Sequence, residues 1–264
     1  MKKIIPFLGL VSLCSSCEEV VDLDLKDYEK KLVIDANIFV GEENHNAVKL
    51  YYSAPFYSNS YEFINTATVV ISSEDGSETY DFPYQGHGKY THDTFTPTMG
   101  KNYQLSVTVN GETYTATSQY WTLEDNIQVT ITPNQGIMEE DYEIKFSYQD
   151  DVVTEDYYFH ELNFDYSVVD DQFSNGQMMN KYFFIAPEDT DTWVKFAATK
   201  ISKNYYDYLN KLFQSSANLG NPFASPIGRI NGNIRALNPT TEAPLGYFHI
   251  AKRKIEDFRI SDRL

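Results

Sequence analysis

The residue type with the most specific chemistry here is cysteine, and both cysteines, Cys14 and Cys17, fall close to the N-terminus. Cys17 closes the run Val11-Ser12-Leu13-Cys14-Ser15-Ser16-Cys17, behind Lys2-Lys3 and an apolar stretch from Ile4 to Leu13. A basic start, a short apolar segment and small residues before a cut are the three parts of an export signal. The apolar stretch is about half the roughly 20 residues that a membrane-spanning helix needs, so the segment is expected to be removed. A thiol placed directly after such a cut is available for acylation. Cys17 suits this better than Cys14, which follows the bulky Leu13.

The Ser-Ser-Cys ending resembles a bacterial lipobox, with Cys14 standing where Leu is common. It assigns lipid attachment to Cys17, a signal peptide to residues 1–16 and a tether to residues 17–27. Each buried methylene contributes about 0.8 kcal/mol, and two or three acyl chains make anchoring effectively permanent. The chain would then touch the membrane only through its lipid. Glu18, Glu19, Asp22 and Asp24 follow the cysteine. This acidic stretch is similar to a surface-export signal, and a solvated acidic linker is the plainer alternative.

Other chemistry-bearing residues are scattered. No Gly-x-Ser-x-Gly elbow, Walker loop or His-Glu-x-x-His is present, and both cysteines lie in the signal region, so no catalytic cysteine is left to pair with a histidine. No catalytic residue, cofactor or metal is therefore assigned. His87, His92 and Asp93 flank a glycine-rich turn and offer nitrogen and oxygen ligands, but loop histidines usually serve as polar surface. Acidic runs occur at Glu139-Glu140-Asp141, Asp150-Asp151, Asp170-Asp171 and Glu188-Asp189 with Asp191. None has the spaced ligand pattern of a calcium loop, and Asp189-Thr190-Asp191 comes nearest. Paired carboxylates also hydrolyse glycosides, which requires a separation that sequence does not supply.

Aromatic residues make up 15%, with 21 Tyr and 17 Phe. Tyr51, Tyr52, Phe56, Tyr57, Tyr61 and Phe63 surround Ser58-Asn59-Ser60. Loops between strands carry function more often than the strands do, so Tyr57, Tyr61 and Phe63 are the candidate binding surface. The bland alternative is that half of these rings point into a core.

The net charge is −17, and −19 once Lys2 and Lys3 are removed. Such a chain repels nucleic acid and anionic membranes, which excludes nucleic-acid partners; the charge serves solubility first. After cleavage about 248 residues remain, enough to bury a core without disulfides.

The elements that must position these residues are strands. Lys31–Val40, Val48–Ser53, Thr66–Ile71 and Glu78–Phe82 are β-rich runs separated by turn residues. Asn110-Gly111 between Tyr103–Val109 and Glu112–Thr117 predicts a tight hairpin, because both turn residues take positive φ. Residues 28–121 are expected to form an immunoglobulin-like β-sandwich. Residues 122–264 are expected to form a second β-rich domain, with strands at Ile127–Thr132, Tyr142–Tyr148, Tyr157–Tyr166, Lys181–Ile185 and Trp193–Thr199. Val169–Asn180 is expected to be an exposed loop. Tyr205, Tyr208, Leu209, Leu212 and Phe213 recur at helical spacing behind Ser202, predicting one amphipathic helix over about 202–218. Leu245–Ile250 is the expected closing strand.

The order Cys17-Glu18, Val21–Leu25, Lys31–Ile34, Gly111–Ala116, Asn221-Pro222-Phe223, Asn233-Ile234 and Leu245–Phe248 resembles the domain of unknown function 4249 lipoproteins of the Bacteroidota. That resemblance implies an outer-membrane lipoprotein facing the cell exterior. It further implies a non-enzymatic accessory that binds a ligand or partners a TonB-dependent receptor during nutrient uptake. A fimbrial or adhesive subunit and a surface hydrolase are the alternatives. Mass spectrometry of the chain extracted from native membranes should show residues 1–16 removed and Cys17 acylated; a bare thiol or an intact leader would overturn the assignment.

Overall fold

A computed structural model describes residues 29–42, 46–55, 60–123, 126–136, 140–218 and 228–264. The expected signal peptide, Cys17 and the whole of the expected tether lie outside these residues, as does Tyr57. Among the described residues the first unit is built from β1 (Leu32–Phe39), β2 (Ala47–Tyr52), β3 (Glu62–Phe63), β4 (Thr68–Ser73), β5 (Thr79–Asp81), β6 (Tyr84–Gly86), β7 (Lys89–Thr91), β8 (Asn102–Val109) and β9 (Glu112–Thr122). The second unit holds β10 (Gln128–Gln135), β11 (Asp141–Gln149), β12 (Tyr157–Leu162), β13 (Asp165–Asp170), β14 (Met178–Ile185), β15 (Trp193–Ile201) and helix α1 (Lys203–Ala217). Three strands follow: β16 (Arg235–Ala236), β17 (Phe248–Lys252) and β18 (Lys254–Arg259). The protein is mainly β with one helix, as expected, and no helix of the described residues is long and apolar enough to cross a membrane.

The first sheet runs β5-β4-β8-β9-β17-β1-β2-β7-β6, with β16 beside β9 and β3 beside β2. Its end strands, β5 and β6, are separated in the chain only by Phe82 and Pro83. Phe82 N–H donates to Val69 O at 2.9 Å, and Thr91 N–H donates to Pro83 O at 3.1 Å. The sheet therefore curls back on itself as a sandwich, its two end strands joined at one corner. Its strands show the alternation of a one-sided core: in β8, Tyr103, Leu105, Val107 and Val109 point inward. They meet Ile34, Ala36 and Ile38 of β1 and Val48 and Leu50 of β2. Asn110 and Gly111 both take positive φ, 52° and 81°, which confirms the hairpin.

The central place in this sheet belongs to β17, which lies parallel to both β1 and β9. Parallel partners cannot be joined by a tight turn, and here the whole second unit forms the connection. Hydrogen bonding therefore does not follow a single cut after residue 121. Residues 245–252, from the far end of the chain, complete the first sheet. Two details explain the motifs around it. Gly246 has φ +105°, and a Cβ there would meet Ile34 O at 2.1 Å, so only glycine lets this segment lie against β1. Asn233 bonds Phe248 through both amide ends, Nδ2–H to O at 2.9 Å and Oδ1 from N–H at 2.8 Å. Its side chain thus substitutes for a strand backbone where β17 begins.

In the second unit, β10-β11-β14 faces β13-β12-β15-β18. Ile144, Phe146 and Tyr148 from one sheet pack against Tyr158, Val194, Phe196 and Phe258 from the other. Every residue of β12 is buried, because its opposite face packs on α1 and on the first unit. There Tyr157, Phe159 and Ile201 join Tyr205 and Leu209 of α1, Phe39 of β1 and Tyr247. The expected helix is present, with Ser202 Oγ accepting from Tyr205 N–H at 3.2 Å as its N-cap.

Two expectations change. The single long strand over Tyr157–Tyr166 is a hairpin of β12 and β13, turned at Asn163, whose φ is +55°. Asparagine tolerates this conformation, and Phe164 at the tip is 90% exposed, so the aromatic run hides a turn. The exposed loop expected over Val169–Asn180 shrinks to a turn between β13 and β14, and Asp171 at its start is buried.

Arg253, between β17 and β18, fastens the two units. Its guanidinium donates to Glu42 (2.7 Å from Nε, with a second bond from Nη2) and to Glu161 of β12 from Nη1, and it lies 4.3 Å from the Phe39 ring centroid. Removing one partner of a buried ion cluster strands the remaining charge. Arg253→Met is expected to cost about 3 kcal/mol in denaturant unfolding, and adding Glu42→Gln and Glu161→Gln should restore most of that loss.

Candidate functional site

The outer face of β1 and one side of α1 enclose a groove of about 490 Å³. β1 places Ile34, Ala36 and Ile38 in the core, so the pleat turns Asp35 and Asn37 outward to the groove floor. Helical spacing brings Tyr205 and Tyr208 to its wall, and Tyr51, Tyr61 and Tyr247 complete it. Tyr61 meets Tyr51 edge-on, with centroids 5.2 Å apart, and Tyr208 lies 4.8 Å from Tyr247. Burial, with the nearby Asp35 carboxylate adding to it, pushes the Tyr51 and Tyr208 hydroxyls up to about 12. These phenols stay protonated and act as neutral donors or acceptors. The Asn37 Oδ1 atom is buried without a hydrogen-bond partner. The groove thus offers aromatic faces and two acceptors, Asp35 and Asn37.

Two of the sequence candidates can be placed. Tyr61 is 55% exposed and belongs to this groove. Phe63, 44% exposed, lies on β3 with its ring edge-on to His87 at 6.0 Å; it is outside the groove lining. Tyr57 lies outside the described residues. Sequence reasoning did not find Tyr205, Tyr208 and Tyr247. The stripe on α1 was legible only as one face of an amphipathic helix, and Tyr205 and Leu209 serve the core as well.

A second, larger cleft of about 640 Å³ opens between the units, with Met99, Tyr120 and Trp121 on one side and Asp150, Asp156 and Lys200 on the other. Lys200 Nζ lies 2.6 Å from Asp156 Oδ1 and 5.6 Å from the Trp121 ring centroid. Tyr158 donates its hydroxyl to Asp150, and Gly176 N–H donates to Asp150 Oδ2 at 2.7 Å. Asp150, Asp156 and Asp171 each bring a carboxylate oxygen within 4.8 Å of the others. These are two of the acidic runs noted in the sequence, joined by a residue that belonged to neither.

The other ligand-like residues are not gathered. His87, His92 and Asp93 form no such cluster among the described residues. His92 Nδ1 accepts from Thr94 N–H at 3.2 Å, and its ring meets Tyr80 edge-on. Asp189 ends a short 3-10 turn over Pro187–Asp189, and Asp191 pairs with Arg259 at 3.0 Å on the surface.

The fold and these two openings define a β-rich protein of two interlocked sandwiches that carries a tyrosine-walled groove. The chain belongs to the family described as Domain of unknown function (DUF4249), which matches residues 18–255. No curated protein matches it.

Two buried histidines line neither opening. His160 meets the Tyr148 hydroxyl at 2.6 Å within the second core, and His249 stacks on Tyr205 with centroids 4.1 Å apart. Burial pushes both down to about 3. Below an unfolded value of about 6.5 the unfolded chain takes up protons that the folded chain refuses. Stability should therefore fall as pH drops from about 6.5 toward 3, by up to about 1.4 kcal/mol per pH unit for each histidine. Denaturant unfolding between pH 4.5 and 7 checks this, and His249→Phe should remove one histidine's share of the slope while leaving stability at pH 7 nearly unchanged.

Proposed function

We propose that this chain is a surface-displayed outer-membrane lipoprotein, held by acylated Cys17, that binds a ligand as a non-enzymatic accessory to a TonB-dependent receptor. The observation carrying this reading is the groove between β1 and α1. Five tyrosines and two acceptors in a partly pre-formed concavity suit recognition, because tyrosine supplies large rigid area at small entropic cost. A ligand with an apolar face and hydrogen-bond donors matches that lining. The leader, the lipobox-like ending and the acidic tether support the location, and family membership supports the association with uptake.

A fimbrial subunit that exchanges strands leaves a place in its own sheet for a neighbour. In the first sheet β17 of the same chain fills the central place, which favours the accessory role over that alternative. Capture from mildly solubilised native membranes should retrieve an outer-membrane receptor together with any small molecule it carries. Tyr61→Ala, a change at an exposed ring, should weaken ligand retention about tenfold, the loss of one good aromatic anchor, with an unchanged circular dichroism spectrum. Repeated isolation of the chain alone and empty would overturn the proposal.

A further inference from the structure

We propose that Asp150, Asp156 and Asp171 form a calcium site at one end of the second sandwich, separate from the tyrosine-walled groove. The three residues sit at strand ends: Asp150 directly after β11, Asp156 directly before β12 and Asp171 directly after β13. The turns that carry them are laced together. Asp150 N–H donates to Gln177 O at 3.2 Å, Asp171 N–H donates to Asp156 O at 3.2 Å, and Asn175 Nδ2–H donates to Thr154 O at 3.2 Å.

The partners of each carboxylate point to a ligand. Asp150 accepts from Tyr158 and Gly176, and Asp156 accepts from Thr154 and Lys200. Asp171 is fully buried, at 0% exposure, and neither of its carboxylate oxygens has a hydrogen-bond partner. An unpaired buried carboxylate is among the most costly arrangements in a protein. One of these oxygens faces the cluster, within 4.8 Å of a carboxylate oxygen of Asp150 and one of Asp156.

Charge and ligand type select the ion. Three carboxylates against the single ammonium of Lys200 leave two negative charges, which one divalent cation balances. All the donors are oxygens, and no histidine or cysteine joins the cluster, which disfavours zinc. Calcium contacts oxygens at about 2.3–2.6 Å in flexible geometry, so ligands on opposite sides of it stand about 4.8 Å apart. Magnesium demands a tighter octahedron at about 2.1 Å and keeps its waters. Asp150 and Asp156 also line the cleft between the units, so water from that side completes the coordination. The bound ion ties the 150–156 turn to the 171–177 turn and fixes one wall of the cleft.

The test uses the full chain stripped with a chelator and titrated with calcium chloride, magnesium chloride or terbium chloride. One calcium per chain should bind and raise the thermal unfolding midpoint by several degrees. Terbium should show emission sensitised through Tyr158, whose hydroxyl touches Asp150. Asp171→Asn should abolish both effects while the chain stays folded by circular dichroism, and Asp151→Asn, at an exposed neighbour, should leave both intact. An unfolding midpoint indifferent to calcium, with no terbium emission from a folded wild-type chain, would overturn the proposal. So would an Asp171→Asn chain that binds calcium as well as the wild type, or equal responses to magnesium and calcium.

Discussion

A single guanidinium, closed off from water where the last two long strands meet, holds the two units in one body. Arg253 stands between Glu42, just beyond β1, and Glu161 on β12, with its flat face over Phe39. Burying an ion costs several kcal/mol unless pairing and hydrogen bonds offset it. Here three hydrogen bonds from the planar fork serve two carboxylates, while the ring accepts the cationic face. The geometry works only if β17 lies in the first sheet and β18 in the second. The guanidinium thus fixes the relation between the units as well as adding to their stability.

The insertion of β17 has consequences on both of its faces. Inward, Phe248 and Ile250 complete the first core. Outward, Tyr247, His249 and Ala251 meet β12 and α1, and His249 and Ala251 are fully dehydrated. The tyrosine-walled groove exists because α1 is pressed against this outer face but covers only part of β1. Asp35 and Asn37 would be ordinary solvent-facing residues of a strand if the helix were absent. With the helix in place they become the polar floor of an aromatic concavity, the usual arrangement of a site that orients a ligand by a few polar groups.

The cleft between the units follows a different logic. Its polar wall gathers charge that a surface would normally spread out. Lys200 offsets one of three carboxylates, Tyr158 donates a hydrogen bond to another, and Asp171 is left without either. Native proteins seldom leave buried polar groups in that state, so each case asks for an explanation. The same turns bring Trp121 and Lys200 face to face across the units, which places the cluster beside the seam that Arg253 closes elsewhere.

Much of the architecture was legible along the chain. Alternation in β8 marked an inward face, Asn110-Gly111 marked its turn, and Ser202 with the Tyr205–Phe213 stripe marked α1, since each signal is set by neighbours within a few residues. Legibility failed where a local pattern is ambiguous: Asn163 turns a strand whose aromatic composition continues on both sides. It failed also where contacts are distant. Nothing near residue 250 says that it will lie between residues 38 and 120, and nothing in Asp150-Asp151 or Asp170-Asp171 says that one member of each run will meet Asp156. Side-chain periodicity depends on local geometry, whereas parallel pairing, a buried ion cluster and a groove floor depend on which distant surfaces exclude water together, and only the folded chain decides that.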